Sequence, residues 1–306
     1  MGKKIVYTGQ VVIDLAMSVP HLPMPGGDIR ATSHLVTPGG GFNVLSAAAA
    51  MRADVSYAGA MGAGAWADLA WEGLRRIGVP HIGPVLEESQ GCVVALTDED
   101  AERTFITVPG AESKFPPGCT DSLDVADSIL VLSGYSLTYP EKVSELNRLL
   151  DRIEPGSCQV IVDVAPVVAD IPLESLNLAR EHRPIWSMNE FEEHVLAARF
   201  EITGRGEERA AALAEFLGGP VIARKGAIGA LVADGTGDVT LLGSIDVDCV
   251  DTNGAGDAHT GVMCAFLAEG ASLHHSVRAG NVAGALATTT FGPATCPPRE
   301  TVESYL

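Results

Sequence analysis

Short runs of β-branched and other apolar residues recur along the chain: KIVYTG at 4–9, VSYAGA at 55–60, SILVLSG at 128–134, QVIVDVAP at 159–166, PIWSMN at 184–189 and PVIARKG at 220–226. Continuous apolar runs of this length predict strands buried on both faces, as in a parallel sheet. Between them the apolar period lengthens to that of a helix. AWADLAWEGLRRIGV sets Trp66, Leu69, Ala70, Leu74 and Ile77 at helical spacing and stops at Gly78, a residue suited to closing a helix. YPEKVSELNRLLDRI repeats the pattern with Val143, Leu146, Leu149 and Leu150, and Pro140 suits a first turn. EERAAALAEFLGG does so again ahead of the last run. Strand and helix alternate, so the expected class is α/β, with a central mostly parallel sheet flanked by helices on both faces.

Two stretches break the alternation, at about 10–36 and 84–112. They hold strand-like pieces without helices, including GCVVALTDEDAERTFITV, whose DEDAE turn joins two β-rich arms as in a hairpin. These predict a small β lid inserted in a single α/β unit spanning 1–306. Such a lid either excludes water from a site beneath it or is a plain structural hairpin.

Composition narrows the functions. With 39 acidic against 20 basic residues the formal net charge is −19, which repels nucleic acid and anionic membrane at long range. A small anionic substrate stays open, because backbone amides and a bound metal hold phosphate locally. The six cysteines show no C-x-x-C pair and no histidine cluster, so they read as reduced thiols of a cytoplasmic protein. The opening MGKKIVYTGQVVID has an apolar run broken by Gly9, Gln10 and Asp14, too short for a signal segment or a span.

The stretch DTNGAGDAHTG, residues 251–261, carries the densest chemistry. Gly254 and Gly256 let the backbone turn tightly, and the apolar VMCAFLAEG behind them predicts a helix ending at Gly270. Amides at a helix start, backed by roughly half a positive charge of dipole, make an anion site. Asp257 sits inside that cup. An N-cap aspartate is the plain alternative, although it does not call for Gly-Ala-Gly in front.

These residues resemble the C-terminal signature of the ribokinase-like (PfkB) carbohydrate kinases, D-T-x-G-A-G-D. Asp251, Thr252, Gly254, Ala255, Gly256, Asp257, Ala258 and Gly261 match, while His259 stands where that family has Phe and reads as a packing variant. The resemblance implies ATP-dependent transfer of a phosphoryl group to a hydroxymethyl group of a small sugar. Asp257 would then be the general base, and the amides of Gly254, Ala255, Gly256 and Asp257 would stabilise the migrating phosphoryl.

Other stretches resemble further family elements in the same order along the chain. Asp14, ending GQVVID, matches the carboxylate that binds two sugar hydroxyls. TPGGGFNV resembles G-G-x-x-x-N, keeping Gly39, Gly40 and Asn43 on the substrate side but with Pro38 at the first glycine. The Gly-Asp expected downstream is missing from GAMGAGAWAD, and Asp68 comes too late to replace it. SMNEFEEHV resembles N-x-x-E, implying that Asn189 and Glu192 lie near the phosphates, with Glu192 organising water around Mg²⁺; an ordinary acidic first turn is the alternative. ARKGAIG resembles the nucleotide-binding T-x-G-x-x-G, with Gly226 and Gly229 kept, Arg224 in place of Thr, and Arg224 or Lys225 in reach of a phosphate. Asn281 matches the position beside adenine, and Asp251 with the loop 288–295 matches a site for a monovalent cation such as K⁺.

Of four other readings, two stay open and two fall. A nucleoside kinase on the same scaffold is the runner-up, and it stays open because the lid that shapes the acceptor pocket is the least recognisable part. An idle nucleotide- or sugar-binding homologue is kept in view by Pro38, His259 and the missing Gly-Asp. A dinucleotide-dependent dehydrogenase lacks G-x-G-x-x-G after its first strand, and no G-x-x-x-x-G-K-[ST] occurs, which excludes a P-loop enzyme. The exposed edge of a lid gives a reason to expect a homodimer through it.

Overall fold

The computed structural model describes residues 2–100 and 103–306, so the end of the DEDAE turn, residues 101 and 102, lies outside the described residues. In chain order the strands are β1 (Lys4–Tyr7), β2 (Val11–Ser18), β3 (Ser33–Gly40), β4 (Val55–Tyr57), β5 (Met61–Ala63), β6 (Val85–Ser89), β7 (Cys92–Thr97), β8 (Arg103–Val108), β9 (Ser128–Ser133), β10 (Gln159–Asp163), β11 (Ile185–Asn189), β12 (Val221–Arg224), β13 (Gly229–Ala233) and β14 (Val239–Gly243). The helices are α1 (Gly41–Ala50), α2 (Gly64–Arg76), α3 (Pro140–Arg152), α4 (Leu173–Glu181), α5 (Glu190–Arg199), α6 (Glu207–Leu217), α7 (Ala255–Ala268), α8 (Leu273–Ala287) and α9 (Arg299–Glu303).

The main sheet runs β14-β13-β12-β11-β10-β9-β1-β4, and β4 through β12 in that order pair in parallel. All six apolar runs of the sequence supply these parallel strands. The edge formed by β13 and β14 is antiparallel, because the chain turns back on β12 through Gly229, whose φ of 115° favours glycine. Alternate residues of one strand feed opposite cores: Ile129 and Val131 pack with Leu45, Leu74, Met263 and Val277, whereas Leu130 and Leu132 pack with Leu146, Leu176, Leu196 and Leu213. Helices α1, α2, α7 and α8 therefore cover one face and α3 to α6 the other. Each such leucine contributes roughly 1.5–3 kcal/mol by leaving water.

Helix α2 turns a different face inward from the one its large residues suggest. Ala67, Ala70, Gly73 and Leu74 are buried, and Leu69 is 36% exposed. The cause is a close approach, since a Cβ on Gly73 would stand 2.7 Å from the Pro38 ring and 3.0 Å from Phe42. Pro38 is thus a packing residue between β3 and α2.

A second, smaller sheet is ordered β3-β2-β7-β8 and falls in the stretches expected to form a lid. Its boundaries differ from the expected 10–36 and 84–112 in two ways. β3 runs on to Gly40, directly into α1, and β6 leaves this sheet to pair with β5. The arms β7 and β8 pair antiparallel from Cys92↔Val108 to Thr97↔Arg103. Strand β2 joins the two hairpin-like halves, pairing antiparallel with β3 and parallel with β7.

Candidate active site

Parallel strands place their C-terminal ends along one edge of a sheet, and ligands of such sheets bind there. That edge here carries Asp163 ending β10, Asn189 ending β11 and Arg224 ending β12. The start of α7 comes to the same place. Gly254 is its N-cap, with φ 76°, and a Cβ at this position would lie 1.8 Å from the Pro293 carbonyl oxygen, so only glycine fits. No side chain caps this turn. The first amides of a helix have no partner inside it, and those of Gly256 and Asp257 open the turn beside Arg224, whose guanidinium would be 3.5 Å from a Cβ on Gly256.

Asp257 is the third residue of α7 and not its cap. Its Oδ2 accepts a 2.8 Å hydrogen bond from Nδ2 of Asn43, the third residue of α1. Loss of hydration raises its pKa to about 7, helped by the charges of Asp163 and Asp14 and opposed by Asn43 and Arg224. A carboxylate with a proton affinity near neutrality is matched to taking a proton from an alcohol.

Asp14 lies on β2 of the small sheet, and burial raises its pKa to about 6. Its carboxylate rests on Gly39, where an added Cβ would meet Oδ2 at 2.0 Å. Gly40, with φ 59°, is the N-cap of α1 and carries the chain from that sheet into the helix. Asn43 is 5% exposed, and its Oδ1 is buried with no partner. Asp14, Gly39, Gly40 and Asn43 thus meet at one place, on the side of Asp257 that faces the small sheet.

On the other side Arg224 organises the charges. It donates to the Gly256 carbonyl at 3.3 Å, to Thr260 Oγ1 at 3.1 Å and to Asp163 Oδ1 at 3.3 Å, and lies 3.5 Å from Glu192 Oε2. Thr260 in turn donates to Asp163 Oδ2 at 3.3 Å. Burial raises the pKa of Asp163 and of Glu192, while the guanidinium opposes this in both. Asp163 and Thr260 were not among the residues singled out in the sequence. An aspartate ending an apolar strand in QVIVDVAP was the available signal for the first, and Thr260 gave none.

Asn189 and Glu192 form a capping box at the start of α5: Asn189 Oδ1 accepts from the Glu192 amide at 2.9 Å, and Glu192 Oε2 from the Asn189 amide at 2.8 Å. Lys225 hydrogen-bonds to the wholly buried Glu193 and reaches Glu190 at 3.5 Å, so α5 neutralises its charge. Gly226, with φ 56°, and Gly229 shape the turn after β12. Asn189, Glu190, Phe191, His194, Arg224 and Gly226 line an open cleft of about 590 Å³. Asn281 stands apart, donating at 2.8 Å to the Leu242 carbonyl of β14. Asp251 is buried and ties the start of the motif to the following loop, accepting from the amides of Asn253 at 2.9 Å and Gly292 at 3.0 Å.

With this geometry in place, comparison with known proteins is decisive. The family model of the pfkB family carbohydrate kinases matches residues 2–300. The chain belongs to that family. It is 30% identical to the sugar kinase YegV of Escherichia coli, over 97% of this chain and 92% of that one. Its fold superposes on ribokinase from Thermotoga maritima with a TM-score of 0.83 at 25% identity, covering 99% of both chains. Ribokinase from Arabidopsis thaliana, complexed with ribose and ATP, superposes with a TM-score of 0.82 at 24% identity, covering 99% of this chain and 98% of that one. As a pfkB-family sugar kinase, the protein transfers a phosphoryl group from ATP.

Within this kinase His259 has a packing place. It is 3% exposed, burial drives its pKa down to about 3, and a Cβ on Gly280 of α8 would meet its Cδ2 at 2.9 Å. The ring is therefore neutral and fills the gap that Gly280 leaves. No helix among the described residues is long and apolar enough to cross a membrane.

Proposed function

We propose that the acceptor is a small sugar bearing a hydroxymethyl group, bound between Asp14 and Asn43 with its reacting hydroxyl at Asp257. The single observation that carries this is the Asn43–Asp257 hydrogen bond beside the Asn43 Oδ1 that is buried without a partner. A buried acceptor atom costs on the order of 1–3 kcal/mol unless a donor meets it, and a sugar hydroxyl is such a donor. Asp14, with two acceptor oxygens above Gly39, suits a vicinal diol.

In the reaction the hydroxyl oxygen forms a bond to the γ-phosphorus of ATP as the bond to the bridging oxygen breaks and ADP leaves. Asp257 takes the hydroxyl proton. The amides of Gly254, Gly256 and Asp257, joined by that of Ala255 as it leaves its long 3.4 Å bond to the Thr252 carbonyl, receive charge on the phosphoryl oxygens, with Arg224 behind them. One such donor is typically worth about 3–4 kcal/mol of barrier. The phosphates and adenine of ATP lie along the cleft lined by Asn189, Arg224 and Gly226 and the turn at Gly229, toward Asn281 and away from the sugar.

Mg²⁺ fits this site. Asp163, Glu192 and Asp257 surround the single guanidinium of Arg224, so bound phosphates would add to an excess of negative charge. Mg²⁺ bound there would neutralise phosphate charge, with Glu192 the residue that would orient its water. A monovalent cation such as K⁺ would be held by oxygens of the loop 288–295 beside the buried carboxylate of Asp251.

A second copy of the chain is the proposed partner, covering the lid edge strand β8, where Phe105, Ile106 and Val108 are 57%, 55% and 52% exposed. The six cysteines are all free, which agrees with a cytoplasmic enzyme. The deciding experiment measures ADP release with MgATP against panels of pentoses, hexoses and nucleosides. Turnover of free sugars is expected, and turnover of nucleosides alone overturns the sugar assignment.

A further inference from the structure

The chain crosses between the α/β core and the small sheet at four places, and three are tied together by one buried polar network. Glu112 follows β8, and its carboxylate accepts from the Gly91 amide at 2.7 Å and the Gly110 amide at 2.9 Å. Gln90 Nε2 donates to Glu112 Oε2 at 3.3 Å and to the Val11 carbonyl at 2.5 Å, and its Oε1 accepts from the Gly62 amide at 2.7 Å. Lys142 of α3 donates to the Gly9 carbonyl at 2.9 Å and the Glu112 carbonyl at 3.0 Å, with its ammonium 4.7 Å from the centre of the Phe115 ring. The fourth crossing, at Gly40 and Gly41, joins the first through the Gly41 amide and the Gln10 carbonyl at 2.6 Å.

Gln90 and Glu112 are each 2% exposed and Lys142 is 0% exposed. Burying two ionisable side chains is costly, and packing alone is served as well by Leu or Met. What the polar groups add is direction, because apart from the Gln90–Glu112 bond each of these bonds ends on a backbone atom of a strand or turn at the lid boundary. The path to the substrate side is short. Val11 has its carbonyl held by Gln90 and its amide by Tyr57 Oη at 3.1 Å, and two residues on the Ile13 amide donates to Gly91 at 3.1 Å. Asp14 is the next residue.

We propose that Glu112, Gln90 and Lys142 are positioning residues that form the pin of the lid hinge, fixing the angle at which the lid carries Asp14 over Asp257. The proposal rests on the reading that Asp14 binds the acceptor. A pin of this kind sets acceptor binding and leaves ATP, which lies across the core edge, untouched.

The test compares Glu112→Gln with Asp14→Asn in steady-state kinetics, varying acceptor and ATP separately and recording thermal melts. Glu112→Gln keeps the shape of the side chain but replaces one acceptor oxygen by an NH₂ facing backbone donors. It is expected to raise the acceptor KM about tenfold or more while the KM for ATP stays within about twofold. A lowered melting temperature with the acceptor KM unchanged marks a merely structural network and overturns the proposal. If Asp14→Asn raises the acceptor KM and Glu112→Gln does not, the hinge fails and the acceptor site stands. If Asp14→Asn leaves the acceptor KM unchanged, the reading of Asp14 and the proposal built on it both fail. Should Glu112→Gln not fold, Gln90→Met removes the bonds to Val11 and Gly62 without burying a charge and gives the same readout.

Discussion

Helices α5 and α7 both begin at the C-terminal edge of the main sheet, and both carry an acid as their third residue. In α5 that acid is Glu192, which reaches back to the amide of its own N-cap, Asn189, while Asn189 bonds forward to Glu192. In α7 it is Asp257, preceded by a glycine N-cap with no side-chain bond, and its carboxylate is held from outside by Asn43. The same position in two helices thus has opposite fates. A helix start whose own side chains satisfy its amides has fewer donors left for an anion, whereas one left open by Gly254 beside the Asp257 carboxylate can take both an anion and a proton.

The contrast breaks most visibly at Asp257. Asp257→Asn should lower kcat by about 10³-fold or more while the Kd for ATP stays within about threefold, measured by single turnover and calorimetry. The same substitution has a signature in stability. Because the folded-state pKa of Asp257 is raised to about 7, the native protein binds more protons than the unfolded chain between the ordinary carboxylate value and that pH. Stability therefore falls as pH rises through this window, and the Asn variant should lose that part of the slope in melts recorded from pH 5 to 8.

Gly254→Ala comes next. Its Cβ would collide with the Pro293 carbonyl and its φ is positive, so the turn must shift. A displacement of about 1 Å at the amides is expected to cost about 10²-fold in kcat, with a smaller change in KM. Asn189→Ala should act on the fold and, through the cleft it lines, on ATP binding more than on kcat. Loss of the α5 cap should cost about 1 kcal/mol in denaturant unfolding and change kcat by less than about tenfold. A loss of turnover as large as that of Gly254→Ala would place the start of α5 in the same class as α7. The smallest effect is expected from His259→Phe: a neutral buried ring replaces another, and kcat/KM should stay within about threefold with its pH profile unmoved.

Much of this was legible in the sequence, for identifiable reasons. The six parallel strands are buried on both faces, so QVIVDVAP and its counterparts stand out as unbroken apolar runs. The Gly-Ala-Gly-Asp motif is local, and its geometry follows from its own residues. The small sheet was read less well, because its strands are only half-buried and carry weaker patterns, and because β6 pairs with β5 through tertiary context. The inward face of α2 depends on Pro38 and Phe42 from other elements, which no helical period reveals. The Asp163–Arg224–Thr260 cluster joins three elements 36 to 97 residues apart, and the Glu112 hinge joins several more. Such constellations exist only after folding.

The most direct test of Asp257 as the base at an open helix start is the pH dependence of kcat/KM in the wild type and in Asn43→Ala. Activity needs the ionised carboxylate, so it should fall as pH drops through an apparent pKa near 7. Asn43 stabilises the charged form, and its removal should move that acid limb to higher pH. An acid limb that lies near the ordinary carboxylate range, or one that does not move in Asn43→Ala, would contradict the assignment of Asp257.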